Sequence, residues 1–63
     1  MAKLKEFHAR MFDGHRYMAH SVDRTKVYAE QSAEKARRTG NSVRLIKGHD
    51  KMGNYYVVYT RLS

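Results

Sequence analysis

Hydrophobic and polar residues alternate along residues 4–12, with a period of two. Such alternation is typical of a β-strand. The Asp13-Gly14 pair that follows is a strong hairpin signal, because a type I′ turn needs a positive φ at both central residues. The pattern therefore predicts a hairpin whose return strand runs from residue 15 to about residue 20.

The turn also fixes which residues of this hairpin share a face. A two-residue turn pairs Arg10 with Tyr17 on one face and Ala9 with Met18 on the other. His8 falls on the face of Arg10. The first hairpin is thus expected to have one face of small and apolar residues and one face of basic and aromatic residues.

A period of about 3.6 residues follows the hairpin and predicts one helix. Its narrow stripe is formed by small residues, namely Val22, Thr25, Ala29, Ser32, Ala33, Ala36 and Gly40. Residues able to cap the helix start precede it, at Ser21, Asp23 and Thr25. Gly40-Asn41 is typical of a C-terminal cap. A stripe of such small residues lets the helix lie close to a sheet whose larger side chains fill the core.

Two further strands are expected after the helix. Residues 42–47 are rich in β-formers, with Val43 and Leu45 on one face and Arg44 on the other. Residues 48–54 carry Gly near both ends and predict a loop. Residues 55–62 give the clearest strand pattern in the chain.

These elements predict an α+β fold, with a single helix packed on a three- or four-stranded antiparallel sheet. The order along the chain is ββαββ, or βαββ if residues 15–20 are irregular. With 63 residues in total, we expect one small domain that spans 1–63. The chain has no Cys, which excludes disulfides and Cys-based zinc sites. A core this small also makes self-association a reasonable way to bury more apolar surface.

Charge is the strongest compositional signal. Thirteen Lys and Arg against six Asp and Glu give a net charge of +7, which favours polyanionic partners and above all nucleic acid. The sequence starts without the apolar segment of a secretory signal, and no apolar run is long enough to span a bilayer. We therefore expect a cytoplasmic protein without a membrane partner.

The usual catalytic and cofactor motifs are missing from the sequence. No phosphate-binding Gly-rich loop is present, so no cofactor is predicted. The histidines His8, His15, His20 and His49 lack the spacing of metal ligands, so no metal site is predicted. No nucleophile and base pair can be argued from spacing, and no catalytic residue is predicted. A metal-independent ribonuclease is the least favoured interpretation, because it rests on residue types alone.

The candidate site is the sheet face that the helix leaves uncovered. Arg and Tyr interleave there, as on platforms that stack bases on rings and hold phosphates with cations. The predicted nucleic-acid-binding residues are Arg10, Arg16, Tyr17, Arg44, Tyr55, Tyr59 and Arg61. The sequence leaves open whether the ligand is DNA or RNA. The same residue types also suit an ordinary solvated sheet face, because Tyr favours strands and the Arg stem covers apolar surface.

Two other arrangements are open from the sequence. The helix cations could follow the phosphates of a duplex, but Glu30 and Glu34 lie on the same exposed surface and would repel them. Alternatively, the chain is a small protein-interaction domain, as a homodimer or with another protein, that docks through residues 55–62 at a sheet edge.

The stretch from Val27 to Tyr59 has a recognisable plan. An Ala-rich helix ends in Arg-Arg-Thr-Gly, and Val-Arg-Leu-Ile and Tyr-Tyr-Val-Val-Tyr strands follow it. This plan resembles half of the sporulation-related repeat domain and several other small αββ units. The resemblance covers about half of the chain through packing positions and implies an αββ arrangement, with no site residues.

Overall fold

The computed structural model of the protein describes residues 9–62, which form one helix and one four-stranded antiparallel sheet. The elements are β1 (Arg10–Phe12), β2 (His15–Asp23), α1 (Lys26–Arg38), β3 (Asn41–Asp50) and β4 (Gly53–Leu62). The predicted small α+β fold with a single helix on an antiparallel sheet is confirmed. Residues 4–8 of the predicted first strand, with His8, lie outside the described residues.

The strand that comes last along the chain lies inside the sheet. The strand order is β1-β2-β4-β3, so β4 pairs with β2 on one side and with β3 on the other. The prediction that residues 55–62 lie at a sheet edge is therefore wrong. Because β2 and β3 both run antiparallel to β4, they are parallel to each other. Helix α1 connects them as a crossover, with β4 inserted between the two strands it joins.

The first hairpin forms as its turn residues dictate. Asp13 and Gly14 have φ angles of 52° and 79°, and the register pairs Arg10 with Tyr17 as predicted. Strand β2 then continues to Asp23, beyond its predicted end near residue 20, because it pairs with β4 over that stretch. The extra residue His20 interrupts this pairing as a β-bulge between Ala19 and Ser21.

The predicted loop at residues 48–54 is a tight turn instead. Strand β3 runs through Asp50 and β4 begins at Gly53, so only Lys51 and Met52 connect them. The Asp50 carboxylate accepts a hydrogen bond of 2.9 Å from the Met52 backbone N–H. Gly53 adopts a φ of 116°, a left-handed conformation that favours glycine. These local bonds and the long pairing of β3 with β4 explain why the strands extend past their apolar residues.

The helix packs through the small stripe that its period predicted. Ala29, Ala33 and Ala36 are buried, and the first two pack on Val58 of β4. At the C-terminus of α1 the Ala36 carbonyl accepts hydrogen bonds from the Thr39 backbone N–H at 3.2 Å and hydroxyl at 2.9 Å. The side-chain amide of Asn41 donates to the same carbonyl at 3.3 Å. The helix therefore ends where its carbonyls find these partners. It is too short to cross a bilayer, and so no part of residues 9–62 forms a membrane-spanning helix.

A second apolar cluster lies on the sheet face that α1 does not cover, here called the outer face. Tyr17, Val57 and Tyr59 are its buried residues. Partly buried apolar side chains pack around them, namely Phe12, Ala19, Val22, Ile46 and Tyr55. The sheet is thus apolar on both sides, although one helix covers only one of them.

Gly48 on β3 makes room for an aromatic ring of β4. Tyr55 lies directly opposite Gly48, and a Cβ atom at residue 48 would overlap the Tyr55 ring. A glycine in a strand often marks such a close approach, and the ring covers the backbone that the missing side chain exposes. The packing at this end of the outer face depends on the fit between Gly48 and Tyr55.

We expect Gly48→Ala to lower the free energy of unfolding by about 1 kcal/mol, because the Tyr55 ring must leave its position over residue 48. In a Tyr55→Ala background the same substitution is expected to stabilise by about 0.5 kcal/mol, since alanine loses less backbone entropy than glycine. Urea denaturation of the four proteins measures this coupling. An equal effect of Gly48→Ala in both backgrounds would contradict the proposed fit.

Candidate nucleic-acid interface on the outer face

The sheet register brings nearly all of the predicted binding residues to one face. Residues that lie opposite each other in an antiparallel pair share a face. Arg10 is opposite Tyr17, Arg44 is opposite Tyr59, and Tyr55 and Arg61 alternate with the helix-side residues of β4. All of these lie on the outer face. Arg16 is the exception, because it is opposite Met11 on the other side of the sheet.

Two of the predicted stacking residues are buried. Tyr17 has 6% and Tyr59 has 4% of its surface exposed. The Phe12 ring packs edge-on against both, with centroid distances of 5.2 Å to Tyr17 and 5.5 Å to Tyr59. These two tyrosines therefore leave almost no ring surface for a base, and they pack the outer face instead.

Phe12 is the aromatic residue that the sequence interpretation missed. It is only partly buried and lies above the two tyrosines. The signal for it was present, because strand alternation puts Phe12 on the same face as Arg10.

Three arginines share the sheet face that carries this aromatic cluster. The Arg10 and Arg44 guanidinium carbons lie 5.5 Å and 5.8 Å from the Phe12 ring centroid, within the range of cation–π contacts. Strand β2 pairs with β4 at Met18 and Thr60, and one further step of this register sets Tyr17 beside Arg61. Tyr17 thus lies in a row between Arg10 and Arg61. We call Arg10, Arg44 and Arg61 the arginine cluster.

The carboxylates near this face are already occupied. Asp13 pairs with Arg44, and Asp50 pairs with Arg24. Within residues 9–62, no carboxylate forms an ion pair with Arg10 or Arg61. The arginine cluster therefore keeps an excess of positive charge, which favours an anionic ligand.

Another arginine, Arg24, lies at the other end of the outer face. Arg24 donates two hydrogen bonds of 2.8 Å to the two carboxylate oxygens of Asp50, and its guanidinium carbon lies 5.8 Å from the Tyr55 ring centroid. Such a bidentate pair fixes both side chains in one geometry. Sequence reasoning missed Arg24, because its partner lies far along the chain and no local pattern joins them.

The histidines of the described residues are dispersed. His15 is opposite Phe12 on the hairpin, His20 forms the bulge, and His49 Nδ1 lies 3.2 Å from the Asn54 side-chain oxygen. Across residues 9–62, no three His, Asp or Glu side chains converge as metal ligands do. The cationic groups that the outer face presents are guanidinium groups, which have the geometry to bind anions.

Comparison with known protein families, curated protein sequences and solved structures gives no significant match to this chain.

The ion pair at the end of the outer face has a measurable titration. Hydrogen bonds from Arg24 lower the pKa of Asp50 from 3.8 to about 2, with a further contribution from the Met52 backbone N–H. A depressed pKa of this kind adds stability that is present above pH 4 and is lost as the pH falls through about 2.

We expect Arg24→Gln to raise the pKa of Asp50 towards its ordinary value. The stability difference between the native chain and this variant should shrink as the pH falls from 4 to 2, because protonated Asp50 no longer favours a cation. NMR titration of the Asp50 carboxyl carbon measures the pKa directly. Arg38→Gln, which removes only the exposed pair with Glu34, is the control and should leave the Asp50 midpoint unchanged. If the pKa of Asp50 is unchanged in Arg24→Gln, hydrogen bonds from Arg24 are not the cause of its lowered value.

Proposed function

We propose that this chain is a small nucleic-acid-binding module that grips phosphates with the arginine cluster of its outer face. The observation that carries the proposal is the position of Arg10, Arg44 and Arg61. Arg10 and Arg44 lie over the Phe12 ring, and Arg61 is on the same sheet face, which is turned away from the helix. Guanidinium groups match phosphate oxygens in geometry and charge, and they stay protonated at any physiological pH.

The arrangement of rings and cations also suits contact with unpaired bases. Phe12 and Tyr55 are each partly buried beneath arginine side chains. A guanidinium plane above a ring can stack with a base, as arginines and aromatics do on single-strand binding surfaces. The buried Tyr17 and Tyr59 support this surface from below. Base contact on the outer face is therefore assigned to Phe12 and Tyr55 and not to the two buried tyrosines.

The helix surface supports phosphate binding less well. Lys26, Lys35, Arg37 and Arg38 share α1 with Glu30 and Glu34, and all six side chains are exposed. Arg38 also forms an ion pair of 3.4 Å with Glu34. A polyanion approaching α1 meets both signs of charge, whereas on the outer face it meets the arginine cluster.

A matched pair of double variants separates this face from overall charge. Arg10→Gln with Arg61→Gln removes two charges from the outer face, and Arg16→Gln with Arg37→Gln removes two from the helix side. Each protein is titrated by fluorescence anisotropy into a labelled single strand and a labelled duplex, at low and at near-physiological salt. We expect the outer-face variant to bind about tenfold more weakly and its salt slope to fall by about 2, since two phosphate contacts are lost.

The helix-side variant should bind within about twofold of the native chain at physiological salt. Equal losses in the two double variants would show that net charge and not the outer face drives binding. No binding of the native chain even at low salt would overturn the proposed function. A preference for the single strand would support base contact at Phe12 and Tyr55.

A second function class is favoured by a separate observation, the position of β3. This ten-residue strand lies at the sheet edge. An exposed strand edge can pair with another chain. We infer that β3, and not β4, is the strand through which this chain docks a protein partner.

A further inference from the structure

Strand β3 presents a long and regular backbone edge. It pairs with β4 without interruption from Asn41 to Asp50, which keeps it extended over its whole length. Within residues 9–62, no strand pairs with its other side. Natural edges are commonly shortened, bulged or covered to prevent pairing with another chain. This edge carries none of these devices among the described residues, although it does bear Arg44 and Lys47.

The occupant that fits this edge is a second copy of the same chain. Antiparallel pairing of a strand with itself puts residues of the same face opposite each other, so only a few registers are available. Registers centred on Arg44 or on Lys47 set like charges directly opposite each other, which destabilises a pair. The remaining central registers place the twofold axis at Leu45 or at Ile46.

The register centred on Ile46 fits the charges better. It places Arg44 opposite Gly48 of the second copy, beside the Tyr55 ring that fills the place of the absent side chain and offers an aromatic contact. It also places Arg44 diagonal to Asp50 of the second copy, a carboxylate that pairs with Arg24 and has lone pairs left for a further attractive contact. The two Lys47 side chains become diagonal neighbours, but both are exposed and can diverge into solvent.

The alternative register centred on Leu45 is less favourable on the outer face. There Arg44 lies opposite Ile46 of the second copy, and the two Arg44 side chains become diagonal neighbours. No carboxylate of β3 offsets this repulsion, because Asp50 then extends beyond the paired residues.

We propose that β3 pairs antiparallel with β3 of a second copy about a twofold axis at Ile46, which forms a homodimer with one continuous eight-stranded sheet. The axis is perpendicular to the sheet, so the outer faces of both copies lie on the same side. The dimer therefore joins two arginine clusters into one basic surface. This assembly needs no nucleic acid, and its test is independent of the proposed function.

Single cysteines test the register, because the native chain has none. Opposite residues of an antiparallel pair bring their Cα atoms about 4.5–5.5 Å apart, which permits a disulfide. Ile46→Cys should therefore form a symmetric disulfide dimer rapidly under mild oxidation. Leu45→Cys should react more slowly, and exposed His49→Cys, about 20 Å from its own copy in this register, slower still.

A charge substitution tests the assembly without an introduced thiol. Ser42 lies opposite Asp50 of the second copy in the proposed register, so Ser42→Asp sets like charges against each other at two symmetric positions. Within one chain Ser42 is opposite Arg61, so an Asp there suits the monomer. We expect the dimer dissociation constant to rise about tenfold relative to the neutral control Ser42→Asn.

Analytical ultracentrifugation without nucleic acid measures the association of the native chain and of both Ser42 variants. A dimer that is weakened by Ser42→Asp and crosslinked fastest by Ile46→Cys supports the proposal. A monomer at every concentration up to about 1 mM would overturn it. Fastest crosslinking of Leu45→Cys or His49→Cys would overturn the register, and so would a dimer that Ser42→Asp leaves unchanged. Circular dichroism checks that each variant is folded before its result is counted.

Discussion

The packing of β4 on both of its faces is the constraint on which this structure depends. Val58 is fully buried against the alanines of α1, and the adjacent Val57 is 2% exposed within the outer-face cluster. Alternating residues of one strand thus anchor both layers of the core. Because α1 contributes little volume, its backbone can lie close to the sheet, and the sheet supplies the large side chains. A polar residue at either valine would disrupt one layer outright.

The outer face combines packing with charge. Tyr17 and Tyr59 need cover from water, and one helix cannot cover both sides of a sheet. Phe12 covers them in part, and the arginines around it can shield apolar surface with their stems while the guanidinium groups stay solvated. The residues that give this surface its positive charge thus belong to its packing as well. Replacing an arginine there removes both contributions, which is why matched glutamine variants are more informative than truncation to alanine.

Local patterns in the sequence were enough to predict the hairpin at Asp13-Gly14, the stripe of α1 and the shared face of most site residues. Phe12 was missed although local alternation places it on the face of Arg10, whereas most of the other missed features are non-local. The central position of β4 and the pair between Arg24 and Asp50 depend on contacts between distant parts of the chain. The alternation of a strand shows on which face of the sheet a residue lies, but it does not show how deeply the side chain is buried. The burial of Tyr17 could therefore not be predicted from the alternation. The bulge at His20 could not be predicted either, because a bulge is defined by the pairing of β2 with its partner strand β4.

The order of the strands has a consequence for how this fold forms during synthesis of the chain. Ribosomal synthesis delivers β2, α1 and β3 before β4, yet β2 and β3 are not neighbours and share no backbone hydrogen bonds. The nascent chain can form its first hairpin and its helix, but it cannot close the sheet until the central strand has emerged. Until that moment the β3 segment has neither of its edges paired. The interval between the synthesis of β3 and that of β4 is therefore when a growing chain is most exposed to pairing with the wrong neighbour.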